Sequence, residues 1–363
     1  MSNRSAATLL TAIRGPFGVE REAVLLRLDD GAGNIGWGEA SPLKGYSPDE
    51  INGASSVLDA WAVQWSAGDA IADRVERVES PALVATDLRG VPSARCAIDT
   101  ALLDLEARAL GLPFHAMLLR LLEPMRPVER VPVCALVSLT GIDRPGVPAA
   151  PADLLGEVKD RVDQGFKDVK FKIGGGSDFS EQLEQLRSIR CKFPDLRIRL
   201  DVNGSWSPDE ALGRLAELKS AIDPAFVEQP VGPLDLLTFG PAPVSIAADE
   251  SLRLSDAVPA VTRSGGCDIV VLKPMVLGGH RACLSLAQQA YANGARVVIT
   301  HTFGGKVAHA AACELALAAA AADPEQTGEP LAAGLAGHDD LEQRDGPWIV
   351  PSRRAGHGVE KPW

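Results

Sequence analysis

The chain has 363 residues, room for two domains of ~100–200 residues or for one β/α barrel of ~250 with an addition. Hydrophobic residues make up 46% and charged residues 23%, a globular balance, and a net charge of −12 without any Lys/Arg run excludes nucleic acid as an expected partner. Nothing reaches the ~20 apolar residues of a membrane span, and the six cysteines form neither CxxC nor Cys/His pairs, so a cytoplasmic protein with reduced, structural thiols is expected.

The N-terminus, Met1 to Ala12, has one Arg and no apolar core ahead of a cleavage site. Glu22–Leu28, the turn Asp29–Asn34 and Ile35–Glu39 read as strand, Gly-rich turn and strand, a hairpin. Ser47, Pro48 and Glu50 predict a helix start with Ser47 as its cap. Ala94–Leu110 repeats apolar residues at helical spacing and stops at Gly111.

From Val131 the rhythm changes. Short β-rich runs at Val131–Val137, Asp168–Ile173, Arg197–Val202, Ala225–Glu228, Ser245–Ala248, Asp268–Leu272 and Arg296–Thr300 alternate with helices such as Leu154–Gln164, Phe179–Lys192, Asp209–Leu218, Leu252–Thr262 and Cys283–Asn293. That alternation implies parallel strands with right-handed crossovers, and seven or eight units over about 200 residues suit a closed barrel. The Ala-rich stretch 310–322 is interrupted by Glu314 and is too short to span a bilayer. The polar tail from Pro347 to Trp363 is expected to return to the first domain. Residues 1–125 thus read as an α+β unit, 126–340 as the barrel and 341–363 as the returning segment.

Ionisable residues stand at the strand ends. Lys170 and Lys172 flank Phe171, Asp201 and Glu228 close their runs, Asp249 and Glu250 follow one, and Lys273 closes another. The steps from Lys172 through Asp201, Glu228 and Asp249 to Lys273 are 29, 27, 21 and 24 residues, each about one β/α unit. Residues at the C-terminal ends of barrel strands converge on one mouth. Three carboxylates from neighbouring strands make an oxygen-only donor set, which suits Mg²⁺. Lys172, from an earlier strand, and Lys273, from a later one, then stand on opposite sides of that ion. Lys170 and Lys172 share a face, because side chains repeat every two residues along a strand. A cation and a divalent ion beside a lysine disfavour its protonated form, which makes the amine a usable base. Any one of these residues alone is more often a salt bridge or a cap than a functional group, and Asp249 precedes a helix. Five at five consecutive strand ends are not.

The segments Lys170-Phe171-Lys172, Leu200-Asp201-Val202-Asn203, Val227-Glu228-Gln229-Pro230, Asp249-Glu250-Ser251 and Leu272-Lys273-Pro274 together resemble the enolase superfamily, in its muconate-lactonizing-enzyme-like branch with a KxK motif. Trp37–Leu43 resembles the Gly-Glu loop of that branch's capping domain, and Gly356–Glu360 its closing stretch. The resemblance implies a modified (β/α)7β TIM-type barrel with an N-terminal α+β capping domain completed by the C-terminal tail. It implies Asp201, Glu228 and Asp249 as Mg²⁺ ligands, with Mn²⁺ as a substitute. Lys172 matches the base, Lys273 the lysine opposite, Lys170 the auxiliary lysine, and Asn203 and Glu250 supporting positions around them.

Within the branch, Lys273-Pro274-Met275-Val276-Leu277-Gly278-Gly279, Gly334–Leu341 and Gly36–Leu43 resemble o-succinylbenzoate synthases. These remove water from 2-succinyl-6-hydroxy-2,4-cyclohexadiene-1-carboxylate, on the way to menaquinone, through an enolate. N-acylamino acid racemases and dipeptide epimerases share nearly the same residues and remain the alternative. A small carboxylate is the expected partner in each case, and neither a membrane nor a particular oligomeric state is indicated. A non-catalytic barrel is the reading that an intact KxK plus Lys273 disfavours, and no G-x-S-x-G marks a serine hydrolase. Thr300, His301 and Thr302 are expected to line the substrate side, His301 being as well suited to a structural role, while Phe17 and Leu43 are lid candidates. Gly174-Gly175-Gly176 reads as a strand-to-helix turn, since it lacks the ending of a phosphate loop.

Overall fold

The computed structural model describes residues 4–66, 90–122, 126, 128–139, 152–175, 178–324 and 329–362. Gly176, Trp363 and the division expected at residue 125 lie outside them. Near the N-terminus, β1 (Ser5–Arg14), β2 (Glu20–Asp29) and β3 (Ile35–Ala40) form an antiparallel sheet in that order. The β2–β3 hairpin is the expected one. Its turn is closed by the side chains of Asp29 and Asp30, which accept from the backbone of Gly31, Ala32 and Asn34. Strand β1 has no counterpart in the sequence reading. It is an edge strand with Leu9 and Leu10 both exposed, so alternation does not mark it.

Helices Ile51–Ser66 and Pro92–Ala109 cover one face of this sheet over a core of Val24, Leu26, Leu28, Leu58, Trp61 and Ile98. The first helix begins at Ile51, not at Ser47. The Ser47 hydroxyl instead accepts from the amide of Leu43 at 2.9 Å and closes a turn over 43–47. Two glycines let Pro92–Ala109 lie directly on β3. A Cβ at Gly36 would meet the Ala101 carbonyl oxygen at 2.2 Å, and one at Gly38 the Ala97 oxygen at 1.9 Å. Gly38→Ala is therefore expected to lower unfolding free energy by about 1–3 kcal/mol in a denaturant titration. An unchanged midpoint would show that the helix does not need this approach.

After β4 (Val131–Pro132), the strands β5 (Cys134–Val137), β6 (Asp168–Lys172), β7 (Arg197–Asp201), β8 (Phe226–Glu228), β9 (Ile246–Ala248), β10 (Ile269–Leu272) and β11 (Arg296–Ile299) form one parallel sheet in strict sequence order. The sheet curls on itself. Residues 333–334 bridge its two edges, Ala333 to Val133 and Gly334 to Thr300, with Cys134 donating to the Ala333 oxygen and Gly334 to the Ile299 oxygen, both at 2.9 Å. This short segment takes an eighth position in the ring, as the modified barrel requires. Phe226, Ala247, Ile269, Val271 and Val298 fill the interior, while a larger cluster seals the strands against the outer helices.

Helices Leu154–Asp163, Phe179–Lys192, Pro208–Ile222 and His280–Ala292 lie close to their expected ranges. The helix expected over 252–262 divides into a turn at Glu250–Arg253 and a helix at Ala257–Arg263, with Asp256 left-handed at φ 54° between them. The Ala-rich stretch is a buried helix, Lys306–Ala321, and no described helix is long and apolar enough to cross a membrane. Its Glu314 accepts from the backbone of His115 at 2.9 Å and of Ser352 at 2.8 Å, which accounts for a carboxylate among alanines. Strand β12 (Arg344–Asp345) pairs with β13 (Trp348–Ile349), which pairs with β4, and the tail then returns to the N-terminal unit. Asp104 accepts from the amide of His357 at 2.9 Å, and Arg108 donates to the Val359 oxygen at 2.9 Å.

Candidate active site

In neighbouring parallel strands Lys172 stands level with Asp201, and Asp201 with Glu228. Glu228 is level with Ala247, so Asp249, two residues on, returns to the same inward face one layer higher. Ala247 is level with Ile269 of the interior cluster, which puts Lys273, four residues on, on that face too. The five residues singled out in the sequence thus rise round the C-terminal mouth. With eight positions in the ring, β6 and β10 stand four apart, so Lys172 and Lys273 enter from opposite sides.

The carboxylates are buried and laced together by ammonium groups. Lys170 Nζ lies 2.9 Å from Asp201 and 2.6 Å from Glu228, and Lys172 Nζ 3.2 Å from Asp201. Lys273 Nζ donates to Asp249 and lies 4.0 Å from Glu228. Burial opposes the charge on Lys170, but Asp201 and Glu228 outweigh it and raise its pKa. For Lys273 burial is likewise overcome, chiefly by Asp249. Burial also works against the Asp201 carboxylate, yet Lys170, Lys172 and Lys273 hold its pKa down. Burial and then Asp201 raise that of Glu228. Burial, followed by the Asp249 charge, pushes Glu250 up to about 7.

As the side chains stand, no three acid, histidine or cysteine groups among the described residues gather closely enough to hold an ion. Ammonium groups lie between the carboxylates instead. The donor set itself fits a hard divalent cation. It is all oxygen, it comes from three adjacent strands, and Glu228 Oε1 is buried with no hydrogen-bond partner among the described residues. Asp249 makes no helix-cap hydrogen bond, so the capping role that its sequence position allows is not what it does.

Asn203 ties this layer together from a left-handed backbone (φ 49°), a conformation asparagine tolerates. Its Oδ1 accepts from Lys172 at 2.9 Å and its Nδ2 donates to Glu250 at 3.1 Å. Above lies a cavity of about 490 Å³ lined by both KxK lysines, Asp201, Asn203, Glu250, Lys273, Thr300, His301 and Thr302, with Phe17 and Leu43 at its walls. The Thr300 hydroxyl donates to the Gly334 oxygen at 2.7 Å, so it serves barrel closure as well. His301 Nδ1 accepts from the Phe303 amide at 2.8 Å, and burial followed by the nearby His338 lowers its pKa to about 3, leaving a neutral ring in the wall. Gly174 and Gly175, with φ of 77° and 73°, form the expected turn after β6.

Three participants escaped the sequence reading. Tyr46, at the tip of the 43–47 turn, donates to Asp249 at 2.8 Å and accepts from Lys273 Nζ at 2.7 Å, across 203 and 227 residues. Gln229, left-handed at φ 42°, accepts from the amides of Asp249 at 2.9 Å and Ser251 at 3.2 Å and so fixes the backbone of the third carboxylate. Arg253 lies over the Tyr46 ring at 4.2 Å. Gln229 stood within a quoted segment, whereas nothing near Tyr46 or Arg253 in sequence marks either residue.

Two family profiles match the chain: "Enolase C-terminal domain-like" over residues 153–361 and "Mandelate racemase / muconate lactonizing enzyme, N-terminal domain" over residues 17–118. The chain is 24% identical to the L-Ala-D/L-Glu epimerase of Bacillus subtilis, over 84% of this chain and 80% of that protein. It is 28% identical to the o-succinylbenzoate synthase of Proteus mirabilis, over 77% of this chain and 73% of that one. The dipeptide epimerase of Enterococcus faecalis V583 complexed with Mg and the dipeptide L-Leu-L-Tyr has the same fold, with a TM-score of 0.78 and 21% identity over 99% of both chains.

Proposed function

The chain belongs to the enolase superfamily, in its muconate-lactonizing-enzyme-like branch, whose members are enzymes, and from this premise we propose that it is a Mg²⁺-dependent o-succinylbenzoate synthase. In this reading Asp201, Glu228 and Asp249 hold the ion. When bound, it supplies fixed positive charge to the ring carboxylate of the cyclohexadiene substrate and so makes the adjacent carbon acidic. Lys172, positioned by Asn203, removes the α-proton and returns it to the hydroxide leaving from the same face. Lys273, from the opposite side, presents a cation to the negative charge that develops. Lys170 neutralises Asp201 and Glu228 from below.

The observation that supports this reading is the different setting of the two lysines: Lys273 lies over the Tyr46 ring, and Lys172 is held by the left-handed Asn203. Lys273 Nζ is engaged by Asp249 and by the Tyr46 hydroxyl, while Lys172 Nζ has Asn203 and Asp201 beside it. A syn-elimination uses one base and one fixed cation. A racemase needs a proton-transferring group on each face. The second reading, an N-acylamino acid racemase or dipeptide epimerase, keeps its own support in the diametric placement of the lysines and in the epimerase relative. Assaying one preparation with the cyclohexadiene, an N-acylamino acid and a dipeptide separates the two. The expected result is the highest kcat/KM for the cyclohexadiene, with an aromatic product. Faster epimerisation and no aromatic product would establish the second reading instead.

A further inference from the structure

Strand β1 ends the capping sheet and pairs with β2 alone. Beyond its last pair, Arg14 with Glu20, the Gly15 amide donates to the Val19 oxygen at 2.8 Å. Bonded pairs recur at every second residue of an antiparallel ladder, so the odd-numbered residues of β1 face β2 and the even-numbered ones turn their N–H and C=O outward. Ala6, the first of these, gives its amide to the Ser66 hydroxyl at 3.0 Å. The amides of Thr8, Leu10, Ala12 and Arg14 have no acceptor among the described residues. Sheet edges are ordinarily shielded by a charge, a proline or a bulge. From Ser5 to Ile13 this one carries no charged residue, no proline and no glycine, and its register with β2 is unbroken. Leu10, level with Val24 of the helix-covered core, is 53% exposed, and Leu9, level with Leu25 on the face toward the barrel, is 49% exposed. Such an edge is a template for another strand.

Which strand it takes follows from the outward residues left free. Thr8, Leu10, Ala12 and Arg14 are symmetric about Thr11. An antiparallel copy of the same strand therefore satisfies all of them in one register, with Thr8 opposite Arg14 and Leu10 opposite Ala12. The alternating positions then set Leu9 against Ile13, an apolar pair on the face toward the barrel. Charge agrees with this register. Thr8 donates its hydroxyl to Asp59 of the neighbouring helix, and Asp59 and Arg14 are both exposed. Arg14 of one copy comes to lie beside Asp59 of the other, once at each end of the contact. Within one chain the two cannot meet in this way, because Thr8 and Arg14 stand about 20 Å apart along the strand.

We propose that β1 is a self-association surface: two copies of the chain pair their β1 strands antiparallel across a two-fold axis at Thr11, and their capping sheets become one continuous sheet. The contact uses no residue of the barrel mouth, so it holds whichever reaction runs there.

Sedimentation equilibrium of the full chain tests it. The wild-type protein is expected at twice the monomer mass. Leu10→Pro removes an outward amide, which an edge strand tolerates, and should leave a protein of monomer mass with an unchanged circular dichroism spectrum. Arg14→Asp sets like charges against each other at both ends and should raise the dimer dissociation constant by at least about tenfold, as should Asp59→Arg. Arg14→Asp combined with Asp59→Arg reverses both pairs and should return the constant to near its wild-type value. Rescue of that kind needs two chains, so a folding defect does not imitate it. A monomeric wild-type protein, association that survives Leu10→Pro unchanged, or no recovery in the double variant would overturn the assignment. A larger assembly whose mass halves in Leu10→Pro supports it, with a second interface joining the pairs.

Discussion

Lys172→Ala is expected to abolish exchange of the substrate's α-hydrogen with solvent deuterium and to lower kcat by about 10²- to 10⁴-fold, the range of a lost general base. Lys172 closes β6 level with Asp201, and its ammonium nitrogen is placed by Asn203 and Asp201 on one side of the mouth. Lys273 is held on the other side, so it cannot reach the face that Lys172 serves. Lys273→Arg, in contrast, keeps a cation but replaces a compact ammonium by a planar fork, in a buried place already filled by Tyr46 and Asp249. It should reduce turnover while leaving exchange measurable. Deuterium exchange on a slow substrate analogue, followed by NMR, reads both variants. Persistence of exchange in Lys172→Ala together with its loss in the Lys273 variant would reverse the two roles.

The second large effect belongs to the carboxylates. Asp249→Ala is expected to remove at least about 10³-fold of kcat, because the ion's charge on the reacting carboxylate contributes several kcal/mol. Chelation by EDTA should silence the wild-type protein, and Mg²⁺, or Mn²⁺ in its place, should restore it. Binding needs no turnover to be seen. A ligand that binds only the folded state raises the melting temperature, so Mg²⁺ should raise that of the wild-type protein and leave Asp249→Ala unmoved. The charge balance points the same way. Without Asp249, Lys273 keeps Glu228 at 4.0 Å as an acidic neighbour, and the Tyr46 hydroxyl loses its acceptor. Full turnover by Asp249→Ala in metal-free buffer would remove the metal from the mechanism.

Sequence alone was enough for the barrel and for the residues at its mouth, for a physical reason. Side chains alternate along a strand and parallel strands recur once per β/α unit, so Lys170, Lys172, Asp201, Glu228, Asp249 and Lys273 could be aligned by counting. The β2–β3 hairpin and the helix ending before Gly111 were legible because turn and cap chemistry is local. Tertiary structure decided what local rules leave open. Ser47 has the right neighbours for a helix cap, yet its hydroxyl closes the 43–47 turn, because that turn carries Tyr46 to Asp249. The run 252–262 is helical by period, yet it breaks at Asp256, which frees the Glu250–Arg253 turn to face the cavity. Strand β1 and the bridging residues Ala333 and Gly334 have no pattern of their own and are defined by the edges they join. Contacts between loops some 200 residues apart depend on how the capping unit sits on the barrel. No spacing within either unit encodes that placement, so Tyr46 and Arg253 became visible only once the chain was folded.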